Sequence, residues 1–302
     1  MIIYMKIGWL VNDVLTCIPN TKTFWHFLLE NIDGLIDKTY NDYPNLATKI
    51  ENDYKYIKPT YIIRNASYFR KINIDCYTIS LLQDVIINNQ MQINVLNNSN
   101  LIVCNSQYVL DKYIKYINKP YKIIPLGTDF DFFKPSNDIN NNVLPNSILF
   151  IGSSLNYPKG FDKLMNIIDN MSEQNFCLIM KDDFKIKHNR IKVFNRISQQ
   201  EVVKIINSCL MGICTSIEET QHLSGIEICA CNKPMVGTNV GFYYDNKDNQ
   251  EWGLIANDNN FIEKINYVLN NLNKFNPREY LIKKGYTVES CKKNWLEIID
   301  KI

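Results

Sequence analysis

The chain has 302 residues, of which 46% are hydrophobic, 12% aromatic and 21% charged, which is typical of a globular protein large enough for two hydrophobic cores. A formal net charge of +2 argues against nucleic acid as a partner. No apolar stretch is as long as a membrane span, and Met1–Ile7 runs into a strand pattern without a cleavage site, so we expect neither a transmembrane helix nor a signal peptide.

Hydrophobic patterning in the first part of the chain predicts short strands that alternate with helices. Strands are predicted at Tyr4–Val11, Tyr61–Ile63, Ile79–Leu82 and Leu101–Cys104. Helices are predicted at Thr21–Ile36 and at Gln107–Tyr116, the second with Ser106 as its N-cap. This alternation predicts a parallel sheet, and the Asn- and Asp-rich segment Ser136–Pro145 is typical of a linker.

After that segment the alternation starts again. Strands are predicted at Ser147–Ile151, Phe176–Met180, Ile191–Phe194, Leu210–Cys214 and Pro234–Gly237. Helices are predicted at Phe161–Met171, Ser198–Ser208, Ser224–Cys231, Phe261–Leu272 and Glu289–Ile302. Ser198 with Glu201 three positions later forms the sequence pattern of a capping box. The fold class is therefore α/β, with a second parallel sheet.

One segment, Leu210–Val236, combines a short apolar strand, a loop of small and polar residues and the start of a helix. In a doubly wound sheet, such a loop presents backbone N–H groups to a phosphate. Glu219 stands in the loop and Glu227 in the first turns of the helix. Because a carboxylate accepts hydrogen bonds from neighbouring hydroxyls, this pair suits a sugar or a ribose.

This segment resembles the E-x7-E motif of retaining glycosyltransferases of family 4, which have the GT-B fold. Two other segments resemble the same family. Lys122–Pro135 is similar to its interdomain "I-P-N-G-V-D…F-x-P" segment, and Ile148–Gly152 followed by Pro158–Gly160 is similar to the start of its donor domain. The three motifs stand in the family's order across the second two-thirds of the chain.

The resemblance implies two Rossmann-like domains that face each other across a cleft. We expect an acceptor-side domain over residues 1–136 and a nucleotide-sugar donor domain over residues 146–286. A closing helix at 287–302 is expected to pack back on the first domain. Closure of the cleft would exclude water, which protects an activated sugar from hydrolysis.

The resemblance also implies roles for individual residues. Lys159 and Glu219 are expected to be catalytic, although the adjacent Glu218 could also point inward. Donor binding is expected from Glu227, Gly152, Ser153, Leu223, Ser224, Gly225, Ile226, Arg196 and His222. In this group Glu227 would bind the ribose, the N–H groups at residues 223–226 the diphosphate, and His222 either packs or reaches the sugar. Acceptor-side residues are expected to be Gly8, Gln83 and Asp84.

The chain departs from the family pattern at three places. Ser153 stands where the family usually has an arginine after the first glycine, so Lys159 acts alone or Lys181 or Arg196 contributes charge. Gln83 stands where many members have a histidine. The N-terminal glycine loop is thin, since Gly8 is followed by Asn12-Asp13. Acceptor recognition is therefore the least conventional part of the pattern.

Metal and membrane features are weak in this sequence. His26 and His188 are typical of packing or loop positions, and no set of three metal ligands emerges, in agreement with the metal independence usual in this fold. The nine cysteines lie mostly in apolar runs, which favours free thiols in a reducing, cytoplasmic compartment. Peripheral membrane contact through a basic face is an alternative to a merely solvated face; its residues would be Arg64, Arg70, Lys71, Lys112 and Lys115.

The resemblance implies a retaining, metal-independent transferase that uses no cofactor. It would move a hexose from a nucleotide-diphosphate sugar to a hydroxyl acceptor on a glycan, a lipid or a protein-linked sugar. Two alternatives stay open. A sugar-nucleotide epimerase of the same fold would need acid/base carboxylates, and a catalytically silent nucleotide-sugar-binding protein would be compatible with the missing arginine and histidine.

Overall fold

The structure is a computed structural model that describes residues 6–11, 24–40, 45–67, 71–85, 90–154 and 157–302. Its strands in this part of the chain are β1 Gly8–Val11, β2 Lys38–Tyr40, β3 Tyr61–Asn65, β4 Tyr77–Leu82, β5 Leu101–Cys104, β6 Tyr121–Ile123, β7 Ile148–Gly152, β8 Phe176–Met180, β9 Ile191–Asn195, β10 Met211–Cys214, β11 Met235–Gly237 and β12 Gly253–Ile255. Its helices are α1 Phe24–Glu30, α2 Leu46–Tyr54, α3 Gln90–Asn97, α4 Gln107–Tyr113, α5 Phe161–Asn170, α6 Gln199–Ser208, α7 Leu223–Ala230, α8 Gly241–Asp245, α9 Phe261–Leu269, α10 Pro277–Lys283 and α11 Val288–Ile299.

The chain forms two compact units, each built on one six-stranded sheet. The first unit contains residues Met1–Gly127 and Glu289–Ile302, and the second contains Thr128–Val288. The sheets have the orders β2-β1-β3-β4-β5-β6 and β12-β11-β10-β7-β8-β9. Every strand pair in both sheets is parallel. The predicted α/β class with two Rossmann-like sheets is therefore confirmed.

In the second unit, apolar strands lie between helices on both faces of the sheet. β8 is buried at all five positions, as expected for an internal strand of a parallel sheet. The core contains Phe150 and Leu178 from the strands, Leu164 and Ile168 from α5, and Ile265 from α9. The strand order reverses between β7 and β10, which is the position where open α/β sheets bind ligands.

Two predicted helix starts form their caps as expected. The Val109 N–H donates to Ser106 Oγ over 3.2 Å at the start of α4, and the Glu201 N–H donates to Ser198 Oγ over 3.3 Å at the start of α6. The reciprocal half of the capping box is absent, because Glu201 Oε2 accepts instead from Asn140 Nδ2 over 3.0 Å. The carboxylate of Glu201 therefore holds the preceding loop rather than the start of its own helix.

The Asn-rich segment 136–145 lies inside the second unit. Ser136 N donates to Asn207 Oδ1 over 3.1 Å and Asn140 N donates to Ser208 Oγ over 2.8 Å, which fastens the segment to α6. The boundary between the units lies at Gly127/Thr128, ahead of the predicted residue 136. The polar composition predicted a linker, but hydrogen bonds to α6 hold this segment within the second unit.

The closing helix α11 belongs to the first unit by its contacts. Trp295 is buried there and meets Trp25 of α1 edge to face, with ring centroids 6.0 Å apart. Lys6 Nζ donates to the Ile299 carbonyl over 2.7 Å. No helix in the described ranges has both the length and the apolar character that a membrane crossing requires.

Candidate functional site

The candidate site lies where β7 and β10 end, at the switch point of the second sheet. The described residues after β7 are Ser153–Ser154 and Tyr157–Gly160, and the loop after β10 leads from Thr215 to the start of α7. Parallel strands present their carboxyl ends at the same edge, so these two loops are neighbours. Backbone bonds join them, since the Ile217 N–H donates to the Pro158 carbonyl over 2.7 Å.

An acidic side chain holds the beginning of the first loop. Asp182 follows β8, and its carboxylate accepts from the Ser154 N–H over 3.0 Å and from the Ser154 hydroxyl. The Lys181 N–H also donates to the Gly152 carbonyl over 2.9 Å. Burial raises the pKa of Asp182, but the hydrogen bonds from Ser154 and Ser153 together outweigh this effect, so the pKa lies below its usual value. Sequence analysis missed this contact, although two serines after a strand-ending glycine are suited to it.

Lys159 and Gly160 form a turn that only glycine can complete. Gly160 has φ 63°, and a Cβ at this position would stand 2.0 Å from the Thr215 carbonyl oxygen. Thr215 Oγ1 donates to the Lys159 carbonyl over 3.0 Å. The Lys-Gly pair therefore has a physical reason, because it lets the turn press against the end of β10 and aims the lysine side chain at the second loop.

Lys159 and Glu219 form an ion pair, with Lys159 Nζ 2.6 Å from Glu219 Oε1. Their side chains are 27% and 11% exposed, respectively. Ser216 Oγ donates to the same carboxylate oxygen over 2.8 Å. Burial alone would raise the pKa of Glu219, but the nearby His222 and Lys159 and the hydrogen bonds from Lys159 and Ser216 lower it below its usual value. Glu219 is therefore a carboxylate at neutral pH.

Helix α7 presents its amino end to the same place. The N–H groups of Gly225 and Ile226 donate to the His222 carbonyl, over 3.0 and 3.4 Å. These two predicted phosphate donors are therefore occupied, because His222 is the N-cap and its carbonyl closes the first helical turn. Among the predicted set, the N–H groups of Leu223 and Ser224 remain for a ligand.

A cavity of about 580 Å³ adjoins these loops. The residues that line it are Ile151, Gly152, Ser153, Lys159, Ile179, Met180, Lys181, Arg196, Ile197 and Ser224. Among these described residues three carry positive charge and none carries negative charge. Apolar walls with converging cations suit an anionic ligand that also has an apolar or aromatic part.

Arg196 stands at the rim of the cavity in a left-handed backbone conformation, with φ 49°. One of its terminal nitrogens lies 3.2 Å from Asp183 Oδ2, in a pair whose side chains are 65% and 66% exposed. Exposed pairs of this kind contribute at most about 1 kcal/mol. The guanidinium can therefore exchange this partner for an anionic ligand at low cost.

Five predicted donor residues are not among those that line the cavity: Leu223, Gly225, Ile226, His222 and Glu227. His222 is 7% exposed, with Nδ1 2.7 Å from the Tyr243 hydroxyl and Nε2 3.1 Å from Ser224 Oγ. Burial lowers the pKa of His222, but Cys214 and Glu219 raise it above its usual value. Glu227 lies in α7, and burial raises its pKa to about 7 against the opposing effect of His222.

The predicted acceptor-side residues lie at opposite ends of the parallel strands of the first sheet. Gln83 and Asp84 follow the carboxyl end of β4, where Asp84 Oδ2 accepts from Ser67 Oγ over 2.8 Å. Gly8 is the first residue of β1, at the amino end of the strands, and a Cβ there would stand 2.2 Å from the Leu35 carbonyl oxygen. Close packing accounts for Gly8, and the structure does not bring it together with Gln83 and Asp84. Asn12-Asp13 and Arg70 lie outside the described residues, as does the side chain of His26.

In the part of the chain that the structure covers, no group of three His, Cys, Asp or Glu residues could hold a metal ion.

A segment of the second unit matches a known protein family. Residues 145–271 match the family described as "Glycosyl transferases group 1". This matched segment contains Lys159, Glu219 and Glu227, together with the residues that line the cavity.

Two curated relatives are similar to part of this chain. An uncharacterised glycosyltransferase of Methanocaldococcus jannaschii is 27% identical over 186 residues, which are 58% of this chain and 51% of the relative. A probable sucrose-phosphate synthase of Thermosipho melanesiensis is 26% identical over 218 residues, which are 65% of this chain and 51% of the relative. The chain thus spans about half the length of the curated relatives it matches.

Solved structures extend the likeness to both units. HepE of Anabaena, in complex with UDP-glucose, superposes with a TM-score of 0.76 at 16% identity and covers 99% of this chain and 100% of HepE. Sucrose-phosphate synthase of Thermosynechococcus elongatus has a TM-score of 0.73 at 14% identity and covers 96% of this chain and 81% of the synthase. At these identities the likeness shows the fold alone, and it confirms the predicted GT-B class.

Proposed function

We propose that the chain is a retaining glycosyltransferase of family 4 that transfers a hexose from a nucleotide-diphosphate sugar to a hydroxyl acceptor without a metal ion. The observation that carries the proposal is the Lys159–Glu219 pair, which lies beside the cavity and the start of α7 within the segment that matches the glycosyltransferase family. The E-x7-E spacing of Glu219 and Glu227 supports the family.

The first part of the mechanism concerns the leaving group. Cleavage of the bond between the anomeric carbon and the diphosphate builds negative charge on the phosphate. Lys159 and the N–H groups of Leu223 and Ser224 are placed to stabilise this charge, and Arg196 and Lys181 supply the cations that the Ser153 position lacks. Such preorganised donors are worth about 10²- to 10³-fold in turnover when one is removed.

The second part of the mechanism concerns the sugar. Glu219 stays ionised beside Lys159, so it can accept hydrogen bonds from the hydroxyls of the transferred hexose while it holds the lysine in place. Glu227 accepts from the ribose. No protein nucleophile is needed if the acceptor attacks from the face of the departing phosphate, which then takes the acceptor proton. Gln83 and Asp84 are the acceptor-side residues of the proposal, and positioning supplies much of the rate.

Calorimetric titration tests the donor site. UDP, GDP, ADP and their common sugar conjugates are titrated into the protein in the presence of EDTA, beginning with UDP-glucose because HepE is found with it. We expect tight binding of one nucleotide and its loss in Glu227→Ala. If no nucleotide binds, the donor site is refuted.

Turnover with candidate hydroxyl acceptors then tests the reaction. Lys159→Ala should lower turnover by about 10²-fold or more, because it removes a cation at the leaving phosphate. Lys163→Ala is the matched control: its ammonium pairs with Asp258 at 2.5 Å and its side chain is 26% exposed, close to the value for Lys159. The control should leave turnover unchanged.

Product analysis separates the alternatives. Retention of the anomeric configuration, read by nuclear magnetic resonance of the fresh product, is the expected result. An inverted product would contradict the retaining mechanism, and an altered sugar still attached to the nucleotide would identify an epimerase. Binding with neither transfer nor hydrolysis would identify a silent binder, while dependence on added Mg²⁺ or Mn²⁺ would contradict metal independence.

A further inference from the structure

The imidazole of His222 is enclosed between two hydroxyl groups. Its Nδ1 lies 2.7 Å from the Tyr243 hydroxyl, and its Nε2 lies 3.1 Å from Ser224 Oγ. Both ring nitrogens are thus engaged by the protein, and only 7% of the residue is exposed. A sugar hydroxyl would have to displace one of these partners before it could bond the ring.

His222 adopts this position at a conformational cost. Its φ is 66°, in the left-handed region that residues other than glycine seldom occupy. Such a conformation is unfavourable and persists only where the surroundings fix it. The Tyr243 ring, with its centroid 5.5 Å from that of the imidazole, belongs to a fully buried residue of α8 and supplies that fixed surface.

Of these three residues, Ser224 alone lines the cavity. The hydrogen-bonded series Tyr243–His222–Ser224 therefore runs from the buried helix α8 to the place where the donor diphosphate is proposed to bind. A serine hydroxyl has a single proton. If that proton were given to His222 Nε2, none would remain for a phosphate oxygen.

We propose that His222 is a positioning residue: it donates from Nε2 to Ser224 Oγ while Tyr243 donates to Nδ1, and Ser224 is thereby left to donate its hydroxyl proton to the diphosphate of the nucleotide sugar. The inference rests on the proposed donor site. It replaces the direct contact between His222 and the sugar that the sequence suggested as one alternative.

The protonation states agree with this direction. Burial, with the nearby Cys214 and Cys229, raises the pKa of Tyr243 well above its usual value, so its hydroxyl keeps a proton to donate. A neutral imidazole that accepts at Nδ1 carries its proton at Nε2. An imidazolium also carries a proton at Nε2 and still donates to Ser224, while its Nδ1 then donates to the Tyr243 hydroxyl instead of accepting from it. Only the neutral tautomer with its proton on Nδ1 would reverse the donation to Ser224.

A double-mutant cycle on the full chain tests the coupling. UDP, GDP and ADP are each titrated with EDTA present, and the one that binds the wild type serves as the probe. Ser224→Ala should weaken binding by about tenfold, the value of one hydrogen bond to a charged group. Tyr243→Phe, which keeps the ring, should weaken binding by about threefold in the wild type and by less than twofold in the Ser224→Ala background.

Tyr280→Phe is the matched control. It removes another buried hydroxyl of the second unit, one that donates to Asn246 Oδ1 over 2.8 Å, and it should leave nucleotide affinity unchanged. Ring ¹⁵N resonances of the three histidines give an independent reading, because the shift of Nε2 reports its proton directly. We expect a protonated Nε2 in His222, assigned by its loss in His222→Asn, which tolerates the left-handed backbone.

Three results would overturn the inference. Equal effects of Tyr243→Phe in the two backgrounds would show that Tyr243 acts by packing, and not through the hydrogen-bonded series Tyr243–His222–Ser224. A neutral His222 with its proton on Nδ1 would reverse the direction of donation. A wild type that binds none of the three nucleotides would refute both the proposed donor site and the positioning role of His222, whereas the first two results would refute only the positioning role.

Discussion

The pKa of Glu227 is raised, whereas its proposed role as acceptor of hydrogen bonds from the ribose requires the charged form. Burial raises its pKa to about 7, so the carboxyl is half protonated at neutral pH, while acceptance of two ribose hydroxyls calls for the carboxylate. A raised pKa means that the folded protein holds this proton more tightly than the unfolded chain does. Glu227 therefore loses its proton in the folded protein only as the pH rises through about 7.

We predict that nucleotide-sugar affinity rises with pH through this range. Between pH 6 and 8 the fraction of Glu227 carboxylate increases, and the affinity should increase by roughly fivefold to tenfold, the ratio of ionised fractions for a group of this pKa. Calorimetry with the intact nucleotide sugar measures it, because its bridged diphosphate does not titrate in this range. Glu227→Gln should bind weakly at every pH. A wild-type profile that the variant reproduces would assign the titration to another group.

At the residue scale, the sequence selected candidate site residues but did not predict the contacts that they make. Lys159 and Glu219 were selected by motif, but their ion pair joins residues 60 positions apart and depends on how β7 and β10 neighbour each other. The burial of His222 could not be read from a polar loop, because it follows from the ring of Tyr243 beneath it. The loss of the Gly225 and Ile226 N–H groups as donors follows from the N-cap conformation of His222.

At the scale of elements, Arg278 of α10 fastens the carboxyl end of α7 to the segment that opens the second unit. Its guanidinium donates to the carbonyls of Phe133, Ala230 and Phe130, over 2.8, 2.5 and 2.8 Å. It also lies 5.3 Å from the centroid of the Phe130 ring. A cation at the last turn of α7 is favourable for the helix dipole as well.

We predict that Arg278→Ala lowers the free energy of unfolding by about 3 kcal/mol, because three carbonyls lose a charged donor and a ring loses its stacking partner. Chemical denaturation measures it. Arg278→Lys should recover less than half of the loss, since an ammonium lacks the planar fork that reaches several carbonyls at once. Lys283→Ala, which breaks an exposed pair with Glu279 on the same helix, is the control and should change stability by less than about 0.5 kcal/mol. Full recovery by lysine would show that charge alone matters.

Prediction of the elements succeeded where the apolar pattern was continuous. β8 was predicted to the residue, because a run buried on both faces has clear ends. The short edge strand β2 and the helix α2 were missed: the first has three residues, and the second buries only Leu46 and Ile50. α1 ends at Glu30 in place of the predicted Ile36, because a turn follows Glu30 although the sequence pattern stays apolar there; residues 21–23 lie outside the described residues.

At the scale of the whole molecule, one unit is built from two distant pieces of the chain. Residues 289–302 complete the first unit, while the second unit is formed by one continuous stretch. The resemblance implied such a return, but amphipathic patterning could not have said which unit receives α11. The buried contact of Trp295 with Trp25 assigns it.

We predict that Trp295→Ala destabilises the first unit selectively. Loss of a fully buried tryptophan costs about 3–5 kcal/mol, and the contacts it breaks lie with α1 in that unit. Hydrogen exchange by mass spectrometry should show lost protection in α1 and β1, while β8 keeps its protection and nucleotide binding persists. Leu296→Ala, its 39% exposed neighbour on α11, should change exchange little. If β8 and α1 lose protection together, the two units unfold as one cooperative body, and the discontinuous unit has no stability of its own to lose.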